Sequence, residues 1–543
     1  MKPHPTHAAP VSPRVGRVDR IWALATGAVT SIVAAVLSSL VFGRIPHVQD
    51  SIAQLFQARI FAGGRLWAPT PPLPEFFGAA HMIVKEGRWF SQYPPGHSLL
   101  LVPGVWLGVP WLINPLLGGL TVAGIYFLAR ELFDRATARV SSILAVLSPF
   151  LLLMSAEFMS HAGSLFALTG YLLFYLRAIR THRRRDAVAA GVFLGLAILI
   201  RPYSAFGVAL PTAFHAAWRL RRERDALARP LAWTALGGVA GVLLLLLYNW
   251  GTTGSPLRFG YTELYGPAHG LGFGKGSWGP PHTLDRGLRA SWQTIAALNA
   301  RLFEWPGTSL WPLALALLLP SHRYSAWRRW GVALIPISLL GVYVFYWFHD
   351  LCFGPRYVYE ALGPILILSA VGLIAGSRWI ASRFLPHRGG RDATLIGFLV
   401  VALGFAGGVL TRWPRLFATP PGIAALPPES PVRQGSYFKH FGREYWGVGP
   451  QLGELVNARI HGPAIVFVHF LEPQADHVLP LRYLTFGSAF ARQSPYLERA
   501  RVIYAHDLGA RNRELMARFP LRKAYLYRGS LQSGTLEELP RPS

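Results

Sequence analysis

Arg44-Ile45-Pro46-His47-Val48-Gln49-Asp50-Ser51-Ile52-Ala53-Gln54-Leu55-Phe56-Gln57 directly follows the first long apolar run of the chain, and its reading decides what kind of protein this is. Asp50 stands where a membrane helix should just have emerged, at the start of an amphipathic segment too short to cross a bilayer. An ionised carboxylate at bilayer depth costs roughly 2.5–3.5 kcal/mol on the mildest insertion scale. A carboxylate kept at the membrane boundary is therefore a candidate functional group, although an ordinary loop aspartate has the same local sequence.

The composition supports the membrane reading. Of 543 residues, 52% are hydrophobic and only 15% charged, as in polytopic membrane proteins. A formal charge of +27 with 18 Trp could suggest nucleic acid. The basic residues, however, fall in short clusters between apolar runs, which is how Lys and Arg fix membrane topology. The single cysteine, Cys352, excludes an intrachain disulfide and a cysteine-based metal cage. Lys2, Arg14, Arg17 and Arg20 precede an apolar run of about 22 residues without a clear cleavage site, so the run is expected to stay as an uncleaved first helix.

Helices are predicted near 21–43, 112–130, 139–155, 162–179, 187–200, 203–219, 231–250, 308–320, 331–348, 361–379 and 394–413. Basic residues then collect in alternate turns, at Arg130, Arg135 and Arg139, at Arg177 to Arg185, at Arg219 to Arg229, at Arg323 to Arg329 and at Arg378 to Arg391. This pattern puts those turns and the N-terminal tail, 1–20, in the cytoplasm. An odd helix count places Asp50 and the chain beyond the last helix outside. The predicted organisation is a transmembrane domain over 21–413, a Pro-rich linker over 414–431 and an extracytoplasmic α/β domain over 432–543. In that last part, 464–470, 500–504 and 523–527 read as strands and 510–519 as a helix.

The outer side carries the unusual material. The first loop, about 65 residues long, contains six prolines between Pro69 and Pro95 and short apolar pieces such as 97–109, which read as interfacial helices. A second loop, about 251–305, is rich in Gly, Pro, Tyr and Trp. Four polar clusters stand out there: Asp50; Tyr93-Pro94-Pro95-Gly96-His97; Glu157 with His161; and the pair Arg201 and Arg356. Arg201 follows a wholly apolar run on the side where topology does not call for positive charge. Each arginine needs an anion, either a phosphate or a carboxylate such as Glu157, Asp350 or Glu360. Glu157 has an alternative reading as partner of His161 or Arg201. His97, His161, His282 and His349 read equally as interfacial hydrogen-bonding groups, since no metal-ligand spacing joins them.

In order and placement these residues resemble the GT-C class of membrane glycosyltransferases, in particular the bacterial protein-mannosyltransferase-like branch (glycosyltransferase family 39) that includes the aminoarabinose transferases. The matching features are Asp50 in the first outer loop, Tyr93-Pro94-Pro95-Gly96, the acidic Glu157, Arg201-Pro202 and Gly354-Pro355-Arg356-Tyr357. They span most of positions 20–412. The chain departs in one respect: the family often has Asp-Glu at the first site, and here Ser51 follows Asp50.

The resemblance implies an α-helical polytopic fold of about 11 transmembrane helices. It also implies an enzyme that moves a sugar from a polyprenyl-phosphate donor to an extracytoplasmic lipid, glycan or protein acceptor by inverting displacement. Asp50 would be the general base, and Arg201 and Arg356 would bind the donor phosphate. Tyr93, His97, Glu157, His161, Tyr357 and Glu263 would position acceptor or sugar. Aromatic residues of the second loop, Tyr261, Tyr265 and Trp278 with His269 and His282, would close over the sugar or anchor the loop at the interface. The class admits a divalent metal, but no ligand set is legible. The competing readings are a transporter or flippase of lipid-linked sugars and a non-catalytic polyprenyl-lipid binding protein. Arg- and Ala-rich usage suits a bacterial inner membrane.

Overall fold

The computed structural model describes residues 15–319, 324–384, 389–417, 439–470, 486–529 and 533–540. Every one of the eleven predicted apolar segments falls on helix: α1 (Arg17–Leu40), α4 (Ile113–Leu132), the pair α5 (Arg135–Val146) and α6 (Pro149–Ala156), α7 (Ser160–Thr181), α8 (Arg184–Ile200), α9 (Pro202–Arg222), α10 (Arg224–Thr253), α13 (Trp311–Leu318), α14 (Ala326–Tyr343), α15 (Leu362–Phe384) and α16 (Gly389–Thr411). Among the described residues, six helices are by length and composition long and apolar enough to cross a membrane, or seven if the α5–α6 pair is one span. That pair bends by 58°. Pro149 cannot continue the ladder of α5, and the Ser148 hydroxyl caps the new helix through the Leu151 N–H.

Burial sorts the helices. In the apolar window that includes α15, 89% of residues are buried, against 11% in α16, so α15 is the bundle's axis and α16 its rim. Leu236, Val239, Leu243 and Leu247 of α10 and Leu395, Phe398 and Leu403 of α16 are exposed. An apolar surface of that extent is stable against lipid tails rather than water. α1 packs on α4, α4 on α7, α7 on α8 and α8 on α10, while α9 packs on α14.

The two ends of the bundle differ. At one end, Asp19 of α1 accepts hydrogen bonds from Tyr126 (2.6 Å) and Arg135 (2.9 and 3.0 Å), and the neighbouring Arg328 donates to the Leu132 carbonyl. The basic turns gather there; Arg323 and Arg388 lie outside the described residues. At the other end sit the first loop, the second loop and the C-terminal residues.

The first loop holds two short helices, α2 (Gln49–Ala62) and α3 (Pro95–Trp106), in keeping with the interfacial helices expected there. It also holds a sheet that was not expected. β1 (Ala68–Pro69), β2 (Met82–Lys85) and β3 (Arg88–Ser91) pair antiparallel in the order β1-β3-β2. The hairpin turns at Glu86-Gly87, both with positive φ, as a two-residue turn between twisted strands requires. The second loop likewise contains α11 (Gly260–Tyr265) and α12 (Leu284–Arg301), whose exposed Leu284, Leu288, Trp292 and Ile295 form an apolar stripe.

Beyond α17 (Trp413–Phe417), the predicted linker lies mostly outside the described residues. The three predicted strands appear as β4 (Ala464–Phe470), β5 (Val502–His506) and β6 (Lys523–Gly529), and β7 (Gly534–Glu538) adds an antiparallel edge in the order β5-β4-β6-β7. The predicted helix is present over Asn512–Arg518. The sheet shares one hydrophobic core with the first loop: Phe490 stacks on Phe56 with centroids 4.9 Å apart, and Phe467 meets Phe76 edge-on. Polar contacts reinforce this core. The Arg59 guanidinium donates to the carbonyls of Ala491 (2.7 Å) and Gln493 (2.8 Å), and the His506 ring pairs with the Gly78 carbonyl at 2.7 Å.

Small residues set the close crossing of α8 and α10. A Cβ at Gly237 would lie 2.3 Å from the Gly191 carbonyl carbon, and one at Gly241 would lie 2.4 Å from the Gly195 Cα. Both helices thus present glycines four residues apart, which lets two backbones touch. Gly237→Ala is expected to lower stability by about 1–3 kcal/mol. Gly331→Ala, where a Cβ meets nothing within 4 Å, should be neutral; thermal melts in detergent distinguish them.

Candidate active site

α2 begins after Val48, so Asp50 lies in its first turn, where the helix dipole favours a carboxylate. Opposite it, the chain turns at Phe353 and Gly354, both at positive φ, and enters a 3-10 turn over Arg356–Ala361. That turn brings Arg356 onto Asp50. Arg356 Nη1 donates to Asp50 Oδ2 at 2.7 Å, while Nε and Nη2 grip both oxygens of Asp350 at 2.6 and 2.7 Å. The Asp50 side chain keeps 17% of its surface exposed and that of Arg356 8%, so the pair lines a space that is not sealed. Burial pushes the Asp50 carboxyl up, but Arg356, His81 and the Tyr93 hydroxyl outweigh it and hold the group below the usual carboxylate range.

Two further groups surround Asp50. The Tyr93 hydroxyl donates to Oδ1 in a short hydrogen bond, and Pro94 and Pro95 fix the backbone between β3 and α3 that aims it. His81 Nε2 lies 3.3 Å from the same oxygen. His81 was not singled out from the sequence; it sits at positive φ just before β2, and nothing in the local residues marks it. Its Nδ1 pairs with the Gln92 amide (2.8 Å) and the Tyr265 hydroxyl (3.1 Å), tying the second loop to the site. Tyr261 meets Tyr93 edge-on at 5.5 Å, and Tyr265, His269, Trp278 and Trp347 pack ring on ring behind it. His282 instead bonds the Val344 carbonyl (2.8 Å), and Glu263 pairs with Lys85 (2.6 Å) and Arg258 (3.3 Å), pinning the loop to β2.

Arg201 reaches the neighbourhood from the α8–α9 break. Its Nε lies 2.9 Å from Glu360 Oε1 and its Nη2 donates to the Tyr343 hydroxyl at 3.1 Å. Tyr343 packs on Tyr357 at 5.0 Å, and Arg356 lies over the Tyr357 ring at 5.3 Å. Two tyrosine rings therefore join the two guanidinium groups. His349 stacks on Tyr357 from the other side at 5.2 Å.

Glu157 and His161 sit differently from the expectation that they face acceptor or sugar. Glu157 is 1% exposed, and its oxygens accept from the His47 N–H and the Ser51 hydroxyl, both at 2.8 Å. It holds the segment that carries Asp50. Its carboxyl is pushed up to about 7 by burial, only partly offset by those donors. Glu360, rather than Glu157, is the partner of both His161 (Nδ1 at 2.9 Å) and Arg201. His97 is also buried and pairs with the Phe158 carbonyl at 2.8 Å. Among the described residues no three His, Cys, Asp or Glu side chains converge as a metal site.

Residues 109–250 match the family model described as dolichyl-phosphate-mannose-protein mannosyltransferase. None of the curated proteins matches this chain. Solved structures similar to it include the ArnT of Cupriavidus metallidurans bound to undecaprenyl phosphate (15% identity, 93% of each chain covered, TM-score 0.49). They also include the oligosaccharyltransferase of Archaeoglobus fulgidus (13% identity, 94% of this chain and 70% of that one, TM-score 0.45). The arabinosyltransferase EmbB of Mycobacterium smegmatis is a third (10% identity, 76% of this chain and 43% of that one, TM-score 0.37). The chain is thus a multi-pass helical protein that resembles the membrane glycosyltransferases of the GT-C class, with the match to the mannosyltransferase family carried by residues 109–250.

Proposed function

We propose that this protein transfers a sugar from a polyprenyl-phosphate donor to an acceptor at the boundary of the membrane. The observation that carries the reading is the partly exposed Asp50 carboxylate, ion-paired to Arg356 and joined through Tyr357 and Tyr343 to a second guanidinium, Arg201. The family match over 109–250 adds support for sugar transfer.

In this reading the acceptor hydroxyl or amine attacks C1 of the sugar while Asp50 takes its proton. The bond between C1 and the phosphate oxygen breaks, and polyprenyl phosphate leaves with the electron pair. A phosphate is already a good leaving group and needs cationic stabilisation more than a proton. Arg356 and Arg201 supply it. A phosphate entering between them competes with Asp50 for Arg356, so donor binding itself frees the carboxylate and makes it a stronger base. One displacement inverts the anomeric centre. Tyr93 and His81 orient the base, and the Tyr261 and Tyr265 faces suit the C–H surface of a sugar ring. The basic turns at the opposite end support an extracytoplasmic site in a bacterial inner membrane.

Three outcomes test this reading, and a fourth tests the burial of Glu157. Asp50→Asn should lower transfer from a polyprenyl-phosphate sugar by about 10²–10⁴-fold with donor affinity largely kept. Arg201→Ala should weaken donor binding together with turnover. An unchanged rate in the first variant removes the mechanism, and unchanged affinity in the second returns Arg201 to a purely structural pair with Glu360. Reporter fusions after Arg185 and after Pro431 should signal opposite sides of the membrane; same-side signals would contradict the topology. The fourth outcome concerns Glu157. Its carboxyl is raised in the folded protein, so the stability it contributes is full below its free value of 4.5 and is lost as pH rises through about 7. Glu157→Gln should flatten the fall in thermal midpoint across that window. Neighbouring His47, whose pKa burial lowers, acts in the opposite sense and is common to both curves.

A further inference from the structure

At the end of the bundle opposite Asp50, a cavity of about 620 Å³ opens between the N-terminus of α1, the last turns of α4 and α7 and the first turn of α8. α4 alone has 20 residues, about 30 Å of helix, and its Asn114 end bonds the Glu157 carbonyl, so this cavity is a helix length away from the site described above.

Five guanidinium groups line the cavity, against two carboxylates. Both carboxylates are engaged. Glu131 is gripped by Arg180, whose Nη2 donates at 3.0 Å, and Asp186 accepts from the Thr181 hydroxyl at 2.8 Å. Arg130 and Arg177 have less. Arg130 Nε is 3.6 Å from Asp19 Oδ1, too far for a hydrogen bond, and both oxygens of Asp19 already serve Tyr126, Arg135 and the Gly16 N–H. The Nε–H groups of Arg130 and Arg177 are buried with no hydrogen-bond partner among the described residues. A buried donor left unmade costs about 1–3 kcal/mol, more when it is charged, so the arrangement calls for an acceptor from outside the chain. Phe127 and Leu173 give the same cavity an apolar wall.

We infer that this cavity binds the phosphate group of an anionic membrane lipid, with Arg130 and Arg177 donating to the phosphate oxygens and Phe127 and Leu173 packing against the glycerol end of the acyl chains. A phosphate presents acceptors matched to guanidinium forks. Basic pockets between helix ends lie at headgroup depth, and the apolar wall favours a lipid over a soluble ion. The inference stands independently of the transfer reaction.

The test uses the full-length protein in detergent, with added phosphatidylglycerol, phosphatidylcholine or 10 mM inorganic phosphate, read by native mass spectrometry for retained lipid and by thermal midpoint. The wild type should retain phosphatidylglycerol over phosphatidylcholine. The double variant Arg130→Gln/Arg177→Gln should lose about thirtyfold of that preference, a figure that follows from the worth of each of the two basic residues near a phosphate surface. Arg177→Lys keeps the charge and should keep most of the preference, while Arg221→Gln, a basic change on α9 outside the cavity, should keep all of it. If inorganic phosphate alone raises the midpoint of the wild type and displaces the lipid, the same site serves a soluble phosphate. Equal retention of phosphatidylglycerol by the wild type and the double variant, each folded by its melt in phosphatidylcholine, overturns the inference.

Discussion

The partly buried ion pair between Asp50 and Arg356 is the contact around which the site end of this protein is arranged. Withdrawing two charges from water costs several kcal/mol per ion unless each remaining lone pair and proton finds a partner. Here they do. Asp350 takes the other edge of the guanidinium, and Tyr93 and His81 take the second oxygen of Asp50. One guanidinium thus serves two carboxylates.

That arrangement requires α2 to sit in one place, and the chain fixes it from two directions. From within the bundle, Glu157 accepts from the His47 N–H and the Ser51 hydroxyl on either side of Asp50. From the other side, the C-terminal sheet covers α2 and its loop with a shared apolar core in which Phe56, Trp89 and Phe490 meet. Tyr445 adds a contact in the middle: its carbonyl bonds the His47 ring at 2.9 Å and its hydroxyl accepts from the Phe353 N–H at 3.1 Å, so one residue touches both the Asp50 and the Arg356 segments. The small α/β region therefore works as a clamp on the geometry around Asp50 and Arg356.

Arg201 is held by a separate and more deeply buried network. Glu360 follows Arg356 by one 3-10 turn and joins Arg201 to His161 of α7. The same short segment, 356–360, thereby anchors both guanidinium groups, one as its own side chain and one through its carboxylate. A shift of this segment would move the two cations together, which couples the two halves of the site without any direct contact between them.

Much of this was legible in the residues. Apolar runs of near-spanning length fixed the helices, because a bilayer leaves a backbone few alternatives, and alternation of basic turns identified which ends lie together. Asp50, Tyr93 and Arg356 were marked by polar chemistry at helix ends in a chain with little other charge. Glu157 was marked for the same reason and misplaced, because a sequence does not say whether a carboxylate faces a cavity or an N–H group. The hairpin at 82–91 had a signal in Lys85-Glu86-Gly87-Arg88 between apolar pairs, masked by the prolines around it. His81 had no local signal, and the sequence offered Glu157, Asp350 and Glu360 alike as carboxylate partners for the arginines without choosing among them. The His81–Asp50 and Arg201–Glu360 contacts join segments tens to hundreds of residues apart, brought together only when the helices pack, whereas Asp350 lies six residues from Arg356. Sequence alone thus determined the membrane-spanning architecture and the kind of groups at one end of it. Which carboxylate pairs with which cation was decided by tertiary structure, since only packing sets the few ångströms over which such pairs form.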